Sequence, residues 1–381
     1  MNGRAWRAAA SAAAALLLAG CSALPTFLGG TAEKPKPAEL PPNAALVAVR
    51  HAWTARVGAV TEPVSLSVNG ATVTVASADG TVAALDAASG RELWRASAGA
   101  PLAAAVGSDG TTAAVVTRAN ELVALAGGKT AWRQKLPAVA YTAPFVAGGR
   151  VFVLAADRSV SAFDGGTGRR LWTQQRPGEP LVLQHAGVML AVGDTLVTGL
   201  SGRLAGLDPL TGRVRWEAPV AVPRGINDVE RLVDLVGTAS RVGDSVCVRA
   251  FQAAVGCIDT ARGGVVWTKP AAGAEGLHGD ASLVFGTEAD GKVIAWKREN
   301  GDRAWVNELL RHRGLTAPLS LGRSVVVGDE TGLVHFLSRA DGSLLNRLPT
   351  DGSPVMAAPV VAGNTLVVLT RSGGVYGFVP E

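Results

Sequence analysis

Short apolar runs recur along this chain in a fixed order. Small residues and a proline open a run, as in Thr142-Ala143-Pro144 and Thr316-Ala317-Pro318, and a turn of the Val-x-Gly type follows, as at Val146-Ala147-Gly148 and Val361-Ala362-Gly363. Next comes a β-branched or aromatic run such as Val151-Phe152-Val153, then an Asp-Gly pair, as at Asp79-Gly80 and Asp290-Gly291. Asp-Gly tolerates positive φ, so a two-residue hairpin is expected there. A last run ends in Ala-Leu-Asp or Ala-Phe-Asp and enters a Gly-containing turn before a tryptophan. Each unit therefore reads as four short antiparallel strands.

The turn before the tryptophan is a repeated phrase. Copies are D-A-A-S-G-R-E-L-W ending at Trp94, D-G-G-T-G-R-R-L-W at Trp172 and D-P-L-T-G-R-V-R-W at Trp216. Weaker copies end at Trp132, Trp267 and Trp305; Trp53 lies in a strand-like run without the turn, and a further copy starting at Asp341 puts Leu348 where Trp is expected. Steps between these positions are 41, 38, 40, 44, 51, 38 and 43 residues. A period of about 40–45 residues with four strands per unit is the signature of a β-propeller blade. A blade cannot bury both faces alone, so an indole at a fixed place in each repeat is expected to pack between blades, its N–H bonded to turn backbone.

The ends complete the count. Residues 46–57 supply one strand, and residues 357–379 supply three before the chain stops. Together they make one blade, which removes two exposed sheet edges. With the units between Trp53 and Leu348, the expected fold is an all-β, eight-bladed propeller over residues 45–381, closed by N- and C-terminal strands. The longest step, Trp216 to Trp267, carries an insertion at Arg224–Val236, and insertions in such repeats map to one face.

Composition adds a targeting segment and removes some functions. Residues 1–20 have a basic start and a short apolar stretch ending Leu18-Ala19-Gly20-Cys21. That order is similar to a bacterial lipoprotein signal, which implies cleavage before Cys21 and its acylation. Ser22, rather than Asp, is consistent with sorting to the outer membrane, on its periplasmic face. Residues 21–44 hold Pro25, Pro35, Pro37, Pro41 and Pro42 and read as a lipid-anchored linker. The formal net charge of +5 falls to about +3 without Arg4 and Arg7, too little to argue for nucleic acid. His51, His185, His278, His312 and His335 have no metal-like spacing, and no catalytic or calcium-loop motif is present. No catalytic residue, metal or cofactor is assigned. Cys247 and Cys257 flank a hairpin near Phe251-Gln252 symmetrically; a disulfide and two buried thiols are both open.

The repeated D-x-x-[ST]-G-x-x-x-W phrase resembles the tryptophan-docking motif of quinoprotein-type propellers. That group holds pyrroloquinoline-quinone dehydrogenases and the non-enzymatic BamB lipoproteins of the outer-membrane β-barrel assembly (BAM) complex. The lipoprotein signal, Leu309–Pro318 with Val327–Gly332, and Glu230-Arg231-Leu232-Val233-Asp234 favour the BamB group. The resemblance implies a scaffold that binds the POTRA domains of BamA through two neighbouring loops and aids insertion of β-barrel proteins, with unfolded outer-membrane proteins as a further partner. One loop's pattern falls on Leu181, Leu183 and Gln184, the other's on Asp234 and Val236, with Arg231 beside it; Gln184 and Val236 stand where the family pattern has Arg and Asp. The alternative implied by the same motif is a periplasmic quinoprotein dehydrogenase. Such enzymes carry adjacent cysteines, a calcium site and long insertions, which this sequence lacks.

Overall fold

A computed structural model describes residues 35–176, 181–224, 226–228 and 231–381. The leader and Cys21 lie outside the described residues. The chain from Pro37 to Glu381 is one compact unit. It contains eight four-stranded antiparallel sheets. In chain order the blades span residues 67–97, 107–135, 145–174, 189–219, 235–270, 277–307 and 319–349, and the eighth joins 360–380 to 49–56. In the eighth, strand Val49–Arg56 pairs with Gly374–Pro380, so the ring closes through the two ends as expected. First strands touch the first strands of neighbouring blades and ring the central axis. The Asp-Gly hairpins are three-residue loops rather than the two-residue loops expected: Ser77 N–H bonds Thr81 O, Gly80 N–H bonds Ser77 O, and of the pair only Gly80 has positive φ.

The tryptophans pack where one blade meets the next. Trp53, Trp132, Trp267 and Trp305 are buried, while Trp94, Trp172 and Trp216 are half-buried. Each indole lies against the glycine of the following blade's turn. A Cβ on Gly90 would stand 2.4 Å from the Trp53 ring, and Gly90 has φ +69°. Both the backbone and the ring therefore require glycine there. The indole N–H of Trp53 bonds Ala87 O at 2.9 Å, that of Trp132 bonds Gly165 O at 2.8 Å, and that of Trp172 bonds Pro209 O at 3.1 Å. Trp267 and Trp305 reach Arg298 O and Arg339 O in the same way. The phrase's Asp and Ser/Thr hold the turn: Asp86 Oδ1 accepts from the Ser89 N–H and hydroxyl, and Asp164 Oδ1 does so from Thr167. Across the blade's own sheet each indole faces a small residue: Ala84 opposite Trp94, Gly206 opposite Trp216, Gly377 opposite Trp53.

The seventh blade departs from this, and Leu348 is not the Trp equivalent. Gly342, the turn glycine under Trp305, bonds Ser338 O as Gly90 bonds Asp86 O. Ser338 thus begins the phrase, and its last position is Asn346, which lies opposite Phe336. The physical reason is the eighth blade. Its third and fourth strands are the two chain ends, so no turn exists to receive an indole. A strap of residues 37–48 takes that place. Asn43 Nδ2 bonds Asn346 Oδ1 and Arg347 O, and Asn346 Nδ2 bonds Val47 O. Leu46 N–H bonds Leu345 O, Ala38 N–H bonds Arg311 O, and Leu40 packs on the cluster around Trp305. Residues 37–44, expected as linker, thus lie on the propeller, and the compact unit begins at Pro37 rather than residue 45.

Two interior features rest on residues singled out in the sequence. Cys247 and Cys257 are buried, directly opposite in adjacent strands, and joined by a disulfide. In the segment resembling the BamB group, Asp329 is wholly buried and its Oδ2 accepts from Arg313 Nε at 2.8 Å and His335 Nε2 at 2.9 Å. Burial pushes the Asp329 carboxyl up, but the hydrogen bonds from His335, Leu333 N–H and Thr331 outweigh it and hold the group well below the usual carboxylate range. Burial pushes His335 below its ordinary value despite the Asp329 carboxylate.

Candidate docking face

Every connection from a fourth strand to the next blade's first strand leaves on one face of the ring. Two such connections, 175–188 and 220–234, come from consecutive blades, and they carry the expected site residues. They are stitched together by backbone. Gly187 pairs with Val236 in an isolated bridge, and Gly237 N–H bonds Ala186 O at 2.8 Å. Leu235 N–H reaches Ser201 O of the intervening blade. The neighbourhood expected from the repeat order is therefore present.

Leu181 and Leu183 lie in a loop outside any strand. Leu181 is 38% exposed, Leu183 is half-buried in a cleft with Arg158, Leu200 and Asp234, and Gln184 is exposed. Arg231 is half-buried. Glu230 falls outside the described residues. Val236 is 1% exposed, so a carboxylate in its place would be buried at a large cost.

Asp234 differs in role from the expectation of a charge offered outward. One oxygen accepts from Arg158 Nη1 at 3.2 Å and the other from the Leu183 N–H at 3.0 Å. Arg158 Nη2 also bonds Leu181 O at 3.0 Å. The carboxylate thus ties the two loops to the third blade. At the inner end of the first loop, His185 stands 3.7 Å from Glu275. Burial pushes its pKa down, but the hydrogen bond and charge of Glu275 raise it above the ordinary value.

Three residues of this face escaped the sequence reading. Val222 and Ile226, in the second connection, are 62% and 100% exposed. Ile226 inside the charged insertion, with Val222 just before it, was the available signal. Arg158 was the third, and its signal was position: it occupies the hairpin place held by Gly80, Gly291, Gly332 and Gly373 in other blades, with φ +65°. Among the described residues no group of three or more His, Cys, Asp or Glu could hold a metal ion.

Comparison with known proteins follows the same line. A family model described as outer membrane protein assembly factor BamB matches residues 78–307. The chain is 38% identical to outer membrane protein assembly factor BamB of Bordetella pertussis, over 97% of this chain and 96% of the relative. It is also 38% identical to that of Burkholderia pseudomallei, covering 98% and 97%. Among solved structures, BamB from Moraxella catarrhalis superposes with a TM-score of 0.79 at 24% identity, covering 87% of this chain and 99% of that one. Quinohemoprotein alcohol dehydrogenase from Comamonas testosteroni gives 0.65 at 15% identity, covering 90% and 79%, a likeness of fold alone. Near full-length relatedness, the tryptophan-docked ring and the paired loops agree: this chain belongs to the family of outer membrane protein assembly factor BamB.

Proposed function

We propose that this protein is a non-enzymatic outer membrane protein assembly factor, a scaffold of the BAM complex that docks the periplasmic POTRA domains of BamA. The observation that carries the docking site is the union of the 181–187 and 231–237 loops into one hydrogen-bonded face, with Leu181 outward. Leu181 and Leu183 act as anchors, with Gln184 and Arg231 at the rim, and Asp234 orders the loops from beneath. Interfaces concentrate their energy in a few such central residues. The dehydrogenase reading has only a likeness of fold behind it.

Cys21 is proposed as the acylated first residue of the mature chain, which would hold the propeller at the periplasmic face of the outer membrane. More than one acyl chain is needed for stable anchoring. A Cys21→Ser protein should leave the detergent phase and accumulate as precursor.

The docking test is a pull-down of BamA from the same organism with wild type, Leu181→Asp and Leu183→Asp, each shown folded by circular dichroism. Wild type should retain BamA and the variants should lose it. Full retention by both folded variants would move the contact to another face.

A further inference from the structure

We propose that Arg158 is the positioning residue of the docking face: it presets the 181–184 loop through Asp234 and the Leu181 carbonyl, without itself being the contact. The proposal rests on the docking site assigned above.

The first observation is conformational. Four other blades place glycine at this hairpin position, at Gly80, Gly291, Gly332 and Gly373, and a fifth places Asn120, each with positive φ. Arg158 adopts φ +65° there, a region unfavourable for a residue with a Cβ. Strain of this kind persists only where surrounding contacts hold it, and it gathers at functional sites.

The second observation is what the side chain reaches. From a buried position, with 8% exposure, the guanidinium spans both connections. Nη1 meets Asp234 Oδ1, and Nη2 meets Leu181 O. Asp234 Oδ2 takes the Leu183 N–H. One planar group thus fixes the backbone on either side of Val182, and with it the directions of the two leucines. Lysine offers a single point charge and cannot bridge both acceptors in this geometry.

The consequence is kinetic. A loop that is correctly set before the partner arrives is fully competent to bind. Without Arg158 it would populate that arrangement for a fraction of the time, and apparent affinity falls by that fraction. Loss of a direct contact instead speeds dissociation.

The decisive variant is Arg158→Gly, because glycine is what four other blades carry at this place and the hairpin is kept. Binding of purified POTRA domains of BamA is followed by surface-based kinetics for wild type, Arg158→Gly, Arg158→Lys and Leu181→Asp. Expected for Arg158→Gly is association slowed roughly tenfold, dissociation little changed, a propeller still folded by circular dichroism, and faster hydrogen exchange at the Leu183 amide. Arg158→Lys should recover only part of the rate. Leu181→Asp should abolish binding. Binding lost in Leu181→Asp but kept at wild-type rates in Arg158→Gly would overturn the positioning role alone. Faster dissociation with unchanged association would make Arg158 a contact residue and overturn it too. Binding kept by Leu181→Asp would instead remove the docking site itself.

Discussion

The side-chain amide of Asn43 donates a 3.0 Å hydrogen bond to the side-chain oxygen of Asn346, 303 residues away. The bond stands where a tryptophan would dock if the eighth blade had a turn. A missing tryptophan in one repeat and the location of the chain ends are thus one fact. Asn346→Ala removes one of the two bonds of the Asn43 amide and the bond to the Val47 carbonyl, and should cost about 1–2 kcal/mol. Asn346→Trp should destabilise as well, because Phe336 fills the place opposite and no turn receives the indole. Urea midpoints measure both; an Asn346→Trp protein more stable than wild type would contradict the account.

Gly90 and Gly148 share positive φ but not surroundings. A Cβ at Gly90 meets Trp53 at 2.4 Å, whereas one at Gly148 meets nothing within 4 Å. Gly148→Ala should therefore cost only the conformational term, about 1–2 kcal/mol. Gly90→Ala should cost several kcal/mol in all, as an overpacked site does. Equal losses in the two variants would show that the turn glycine does not serve as the tryptophan's seat.

His335 makes stability depend on pH. Its folded pKa lies below the ordinary value, because burial and the Arg313 and Arg347 guanidinium groups outweigh the Asp329 carboxylate, which raises it. For a depressed base the contribution is present above the unfolded pKa of about 6.5 and is lost as pH falls through and below it. Asp329 is depressed as well, so its contribution persists until pH falls below about 4. His335→Gln should thus lose less stability than wild type between pH 7 and pH 5, measured by denaturant unfolding at each pH. Parallel curves would contradict the assignment.

Much of the ring was legible in the sequence, because its signals are local and repeated. The step length, the D-x-x-[ST]-G turn and the split eighth blade all follow from patterns that recur. Leu348 was misplaced because Asp341 imitates the phrase's first residue while Ser338 fills its role. The strap was missed because proline-rich polar sequence does not reveal that its few side chains, Leu40 and Asn43, find partners some 300 residues on. At the proposed docking face, the adjacency of the two leucines to Asp234 was legible in the sequence, but the direction in which Asp234 points was not. A carboxylate's partner is set by tertiary neighbours, here an arginine 76 residues earlier.

The central claim is that one face of the ring meets its partner, through two adjacent connections. Hydrogen exchange of the full chain with and without purified POTRA domains of BamA tests it most directly. Slowed exchange is predicted at residues 181–187 and 220–237, with the turns at 164–168 and 208–212 on the opposite face unchanged. Protection confined to those turns, with the two connections unaffected, would contradict it.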